Sequence, residues 1–183
     1  MRYPGQGVAS FPQGRMSGPF QQGARMSTTT VRLFRGVRKD AFADGVVVDD
    51  KPATGILYPS FESRVFERAR ADGGVDRRIR PADTRPFAVD DVMMVAAFKG
   101  TSLLDRQRAF GSAHWRYFTI PAGTEVPGSI LVRHTGRLEA YAAEHYQIEP
   151  AMGRMRLDAY RGALDNLARS AVVRFIAESG GTK

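Results

Sequence analysis

One stretch limits the folds open to this chain more than any other. Leu157, Tyr160, Leu164, Leu167, Ala171 and Phe175 recur at steps of three and four residues, the spacing that gathers apolar side chains into one stripe of an α-helix. Ser179-Gly180-Gly181 supplies its stop. A long helix with a single apolar stripe needs a second layer to cover it. The segments upstream read mostly as short strands: Thr30 to Phe34, Trp115 to Ile120, Ile130 to Arg133, and Tyr141 to Ile148 before Pro150. Gly55 to Pro59 is a further short apolar run, and Val92 to Phe98 fits strand or helix equally by periodicity. Phe61 to Ala71 predicts a short helix with Phe61, Val65, Phe66 and Ala69 on one face. Ser102 to Phe110 predicts a helical turn or two, and residues 72 to 86 an exposed loop. Several short strands, no strand–helix alternation and one terminal helix make an α+β fold.

Composition narrows the function classes. The 183 residues are 43% apolar, enough for one domain with a real core. No run of 18 apolar residues exists to span a bilayer. Cysteine is absent, which removes disulfides, thiolate nucleophiles and cysteine-based metal centres. His114, His134 and His145 stand too far apart for a helical ligand pair, so the expectation is no metal.

The net charge of +8 invites a nucleic-acid reading, but its distribution opposes it. Residues 1 to 39 hold Arg2, Arg15, Arg25, Arg32, Arg35, Arg38 and Lys39 and no acid. The chain's 27 basic residues less these seven leave 20 against 19 acidic ones. Residues 1 to 30 also contain five Gly, three Pro and four Gln, with few apolar residues between them. They are expected to be a disordered basic leader, with the domain spanning 31 to 183. No apolar core of a signal peptide follows Arg2.

Four places carry chemistry. Arg35 closes a predicted strand before Gly36, where a guanidinium could hold a diphosphate bidentately or be a surface arginine. Gly100-Thr101-Ser102 would open a helix, as a polar-ligand site or as an ordinary N-cap. His145 and Tyr146 lie on opposite faces if their segment is a strand, the histidine being a ligand or a satisfied core residue. Ile120 to Pro127 has turn chemistry without reactivity and reads as structural.

In order, these segments form a series. Leu33-Phe34-Arg35 is followed by Ile56-Leu57-Tyr58-Pro59-Ser60-Phe61-Glu62-Ser63 and by Gly100-Thr101-Ser102-Leu103-Leu104-Asp105-Arg106. Then come Ile120-Pro121, Gly123-Thr124 and Pro127, His145-Tyr146 with Ile148 and Pro150, and Leu164-Asp165-Asn166-Leu167-Ala168-Arg169. The series resembles the toxin family of the second exported effector of the type VI secretion system, over about residues 31 to 178.

The resemblance implies an ADP-ribosyltransferase-like split β-sheet core with an NAD-binding cleft. It implies a toxin exported or injected by a secretion apparatus, acting in a target cell's cytoplasm, and neutralised in the producer by an immunity protein. NAD would be substrate, and the target macromolecule is open. On this resemblance Arg35, Thr101, Ser102, His145 and Tyr146 are the site residues, with Arg35, Ser102 and Tyr146 holding NAD. Glu144 and Glu149 are candidates by proximity for a carboxylate on the ribose. Two alternatives stand beside this reading. One is a toxin of the same fold that binds a host factor without NAD chemistry; the other is a nucleic-acid binder using the basic leader.

Overall fold

The computed structural model describes residues 27–180. Residues 1–26, the greater part of the expected leader, lie outside them. The terminal pattern does form a helix, α1 (Leu157–Gly180), in which Tyr160, Leu164, Leu167 and Ala171 are fully buried. Phe175 is not; it is 47% exposed.

Among the described residues, fourteen strands precede the helix: β1 (Ser27–Thr28), β2 (Leu33–Arg38), β3 (Val47–Val48), β4 (Lys51–Pro52), β5 (Arg64–Ala69), β6 (Val75–Arg80) and β7 (Phe87–Val89). Then follow β8 (Val92–Ala96), β9 (Thr101–Leu104), β10 (Trp115–Ile120), β11 (Glu125–Val126), β12 (Ile130–Leu138), β13 (Ala143–Pro150) and β14 (Arg154–Arg156). The central antiparallel sheet runs β10-β2-β9-β13-β12. One pair in it is deficient. β2 and β9 share a single register partner, Phe34 with Leu104, whereas β2 meets β10 along six residues. The sheet is therefore split between its second and third strands.

Alternation builds the core. Thr101 and Leu103 of β9, Tyr146 and Ile148 of β13, and Phe118 and Ile120 of β10 turn toward one apolar cluster with Tyr160, Leu164 and Leu167. The Tyr160 hydroxyl donates to the Ile148 carbonyl at 2.8 Å, and burial raises its pKa to about 12. Gly100 lies where any Cβ would fall 1.9 Å from that same carbonyl oxygen. Only glycine lets the chain enter β9 so close to β13.

Three expectations are corrected. Phe61 to Ala71 is not a helix: β5 pairs with β6 across Asp72-Gly73-Gly74, with Gly73 at φ +81°. Residues 72 to 86 accordingly contain a strand as well as loop. Ser102 to Phe110 is strand and turn, because Thr101–Leu104 is claimed by pairing with β13. The last residues of the expected leader are among those described. Ser27 and Thr28 pair with Val126 and Glu125, and buried Thr29 donates its hydroxyl to Pro121 O at 2.6 Å and its N–H to Thr124 O at 2.9 Å. Residues 27–30 belong to the fold because these buried polar groups are satisfied there.

Candidate active site

Three of the candidate residues collect at the split in the sheet. Where β2 and β9 do not pair, backbone carbonyls need another donor, and Arg35 supplies it. Its Nη1 donates to Ser102 O at 3.0 Å, and its Nη2 to Tyr58 O at 3.1 Å. Asp83 Oδ2 stands 3.7 Å from the guanidinium and also accepts the Ser60 N–H at 2.9 Å. Burial pushes the Arg35 pKa below its ordinary value, and Asp83 opposes the shift. Among the described residues, the buried Arg35 Nε has no hydrogen-bond partner, a position that ordinarily implies a ligand or water.

Ser102 and Leu104 face away from the core, into a cleft of about 140 Å³ shared with Arg35, Arg80 and His145. His145 sits opposite Leu104 in the ladder, and its Nδ1 contacts the Thr135 hydroxyl. Burial lowers its pKa, which favours the neutral imidazole. Phe110 and Trp115 form the wall, their ring centroids 5.0 Å apart. Gly36 makes room for that wall, since a Cβ there would lie 2.8 Å from the Phe110 ring. An adjoining cavity of about 300 Å³ continues past Arg35 to Tyr58, Arg64, Phe66, Arg80 and Asp83.

Arg35, Ser102 and His145 thus converge although they are far apart in sequence. Thr101 and Tyr146 do not join them. Thr101 is fully buried, its hydroxyl bonded to the Leu57 carbonyl. Tyr146 packs on the core side of β13 against His134, ring centroids 5.1 Å apart. Neither glutamate is free. Glu149 is buried and held by Arg133 through two bonds of 2.8 and 3.0 Å. Glu144 accepts from His134 at 2.8 Å and from Arg137 at 3.1 Å, and these partners lower its pKa.

Sequence reasoning missed several residues of the candidate site, among them Arg80, Asp83, Phe110 and Trp115. Asp83 and Arg80 sit in a stretch whose composition says only loop, so no local signal marks them. Gln147, directly opposite Ser102, is another. With its amide oriented to satisfy both partners, it accepts the Lys99 N–H at 3.1 Å and that of Gly100.

With this geometry in view, the comparison with known proteins is decisive. The model of the Tse2 ADP-ribosyltransferase toxin family matches residues 21–176. The chain belongs to that family. The expected family and its α+β fold class both hold. Among individual relatives, Toxin Tse2 of Pseudomonas aeruginosa is 37% identical over 79 residues, covering 41% of this chain and 46% of the relative. The chain thus spans about half the length of that relative.

Proposed function

We propose that this chain is a secreted antibacterial toxin that acts in the target cell's cytoplasm as an NAD-dependent ADP-ribosyltransferase. The observation that carries the reading is the convergence of Arg35, Ser102 and His145 on one aromatic-walled cleft at the split of the sheet. The family's description supports the reaction class. In that reaction the bond between nicotinamide and ribose breaks, nicotinamide leaves with the bonding pair, and a nucleophile of the target bonds to the ribose carbon. The passing ribose is oxocarbenium-like, as in glycosidases, so the protein chiefly positions the dinucleotide and stabilises charge.

The residues present suit that work. The Arg35 guanidinium, which lines the cleft, offers its charge to phosphate or ribose oxygens. The Ser102 hydroxyl and neutral His145 bond the nicotinamide ribose, and Phe110 with Trp115 stacks a ring of the dinucleotide. Thr101 and Tyr146 act at one remove, by fixing β9 and β13 against the core. A cognate immunity protein in the producer completes the reading, by covering the cleft or otherwise blocking the toxin.

The test incubates purified protein with adenylate-labelled NAD and a bacterial lysate, following nicotinamide release and label transfer. Both should occur, and Ser102→Ala should abolish both. One observation favours a second reading, in which the fold binds a host factor without NAD chemistry: Glu144 and Glu149 are each engaged by an arginine, Arg137 and Arg133 respectively. Toxicity that survives in a Ser102→Ala protein with no NAD turnover would select it.

A further inference from the structure

Among the described residues, the β5–β6 hairpin pairs only with itself and joins no other sheet. Neither of its faces is buried: Val65, Phe66, Val75 and Ile79 are between 47% and 68% exposed. On one face the register sets Arg64 opposite Arg80 and Phe66 opposite Arg78, so three guanidinium groups surround a half-exposed phenyl ring. Like charges placed directly opposite destabilise a ladder. Arg78 reaches Asp76 at 3.8 Å, but among the described residues neither Arg64 nor Arg80 forms an ion pair. The folded chain does not account for this face.

We propose that it is a docking surface for single-stranded nucleic acid. Guanidinium groups match phosphate oxygens in charge and planar geometry, and a solvent-facing phenyl ring among them is a platform for a base. An acidic polypeptide would satisfy the arginines and leave Phe66 without a flat partner, so the nucleic acid is the better fit. Arg64, Phe66 and Arg80 also line the cavity that continues to Arg35. A strand seated there brings its bases to the mouth of the cleft. In that respect the inference rests on the transferase reading, whose acceptor it would name; the binding itself requires no NAD.

The experiment measures fluorescence anisotropy of a labelled single-stranded RNA of about 12 nucleotides with the full chain, across a salt series. The basic N-terminal residues contribute equally in every variant, so differences report on the hairpin. Phe66→Ala should weaken binding roughly fivefold to a hundredfold, while Phe66→Trp retains it. Arg64→Ala/Arg80→Ala should lower affinity and make the log–log salt slope shallower by about 0.7 per arginine removed. Circular dichroism melts should be unchanged in all of these, because the altered side chains face solvent. Unchanged affinity in folded variants overturns the proposal. Competition by polyglutamate as strong as by unlabelled RNA overturns it in favour of an acidic-protein surface. Complete displacement by NAD assigns the arginines to the dinucleotide instead. Absence of NAD turnover with binding retained refutes only the transferase reading.

Discussion

Removing the Ser102 hydroxyl should leave folding almost untouched, because Arg35 is held by the Ser102 carbonyl and not by its side chain. The expected outcome of Ser102→Ala is an unchanged denaturation midpoint with growth inhibition lost when the protein is expressed in a bacterial cytoplasm. Its neighbour should behave oppositely. Thr101→Ala strands the buried Leu57 carbonyl and should cost about 1–3 kcal/mol in chemical denaturation, with activity per folded molecule preserved. Arg35→Lys should cost a similar amount, since an ammonium cannot bridge two carbonyls and an aspartate as the planar fork does. His145 gives a pH signature. Its folded pKa lies below the ordinary 6.5, so the unfolded chain binds its proton first. Stability is full above pH 6.5 and declines as pH falls through that value toward the folded pKa. Melting temperatures between pH 8 and about 5 should show this slope in the wild-type protein and a flatter one in His145→Gln.

What could be read from sequence depended on how long each element's pattern ran. The α1 stripe repeats over many residues, and only its last member, Phe175, fell outside the core. Leu164→Ala should therefore cost about 2–5 kcal/mol, and half-exposed Phe175→Ala well under half of that, by urea denaturation. β5 was misread because Phe61, Val65, Phe66 and Ala69 happen to fit helical spacing. The true signals were the Asp72-Gly73-Gly74 turn and the β-branched Val65, Val75 and Ile79 on either side of it. Taking Gly100-Thr101-Ser102 as the start of a helix had a consequence for the candidate site. In a strand, adjacent residues oppose each other, so Thr101 and Ser102 could never share a cleft. The same alternation separates His145 from Tyr146, and it was legible as soon as that segment was taken as a strand. Asp83 and Arg80 were beyond reach because only the tertiary fold brings their loop and hairpin to Arg35.

For the whole molecule, net charge was a poor guide to local charge. Residues 40 to 183 are nearly balanced, yet the hairpin concentrates arginine on one exposed face. Where the fold begins is also a whole-chain property. Deleting residues 1–26 should not change the melting temperature, whereas deleting 1–30 removes the Thr29 bonds to Pro121 and Thr124 and should lower it measurably in a thermal scan. The split sheet has a last consequence. Its two halves, β10–β2 and β9–β13–β12, are joined by one ladder pair and one arginine side chain. The amides flanking Phe34 and Leu104 should consequently exchange with deuterated solvent sooner than those inside either half. Occupation of the cleft would slow that exchange, making the seam itself a reporter of ligand.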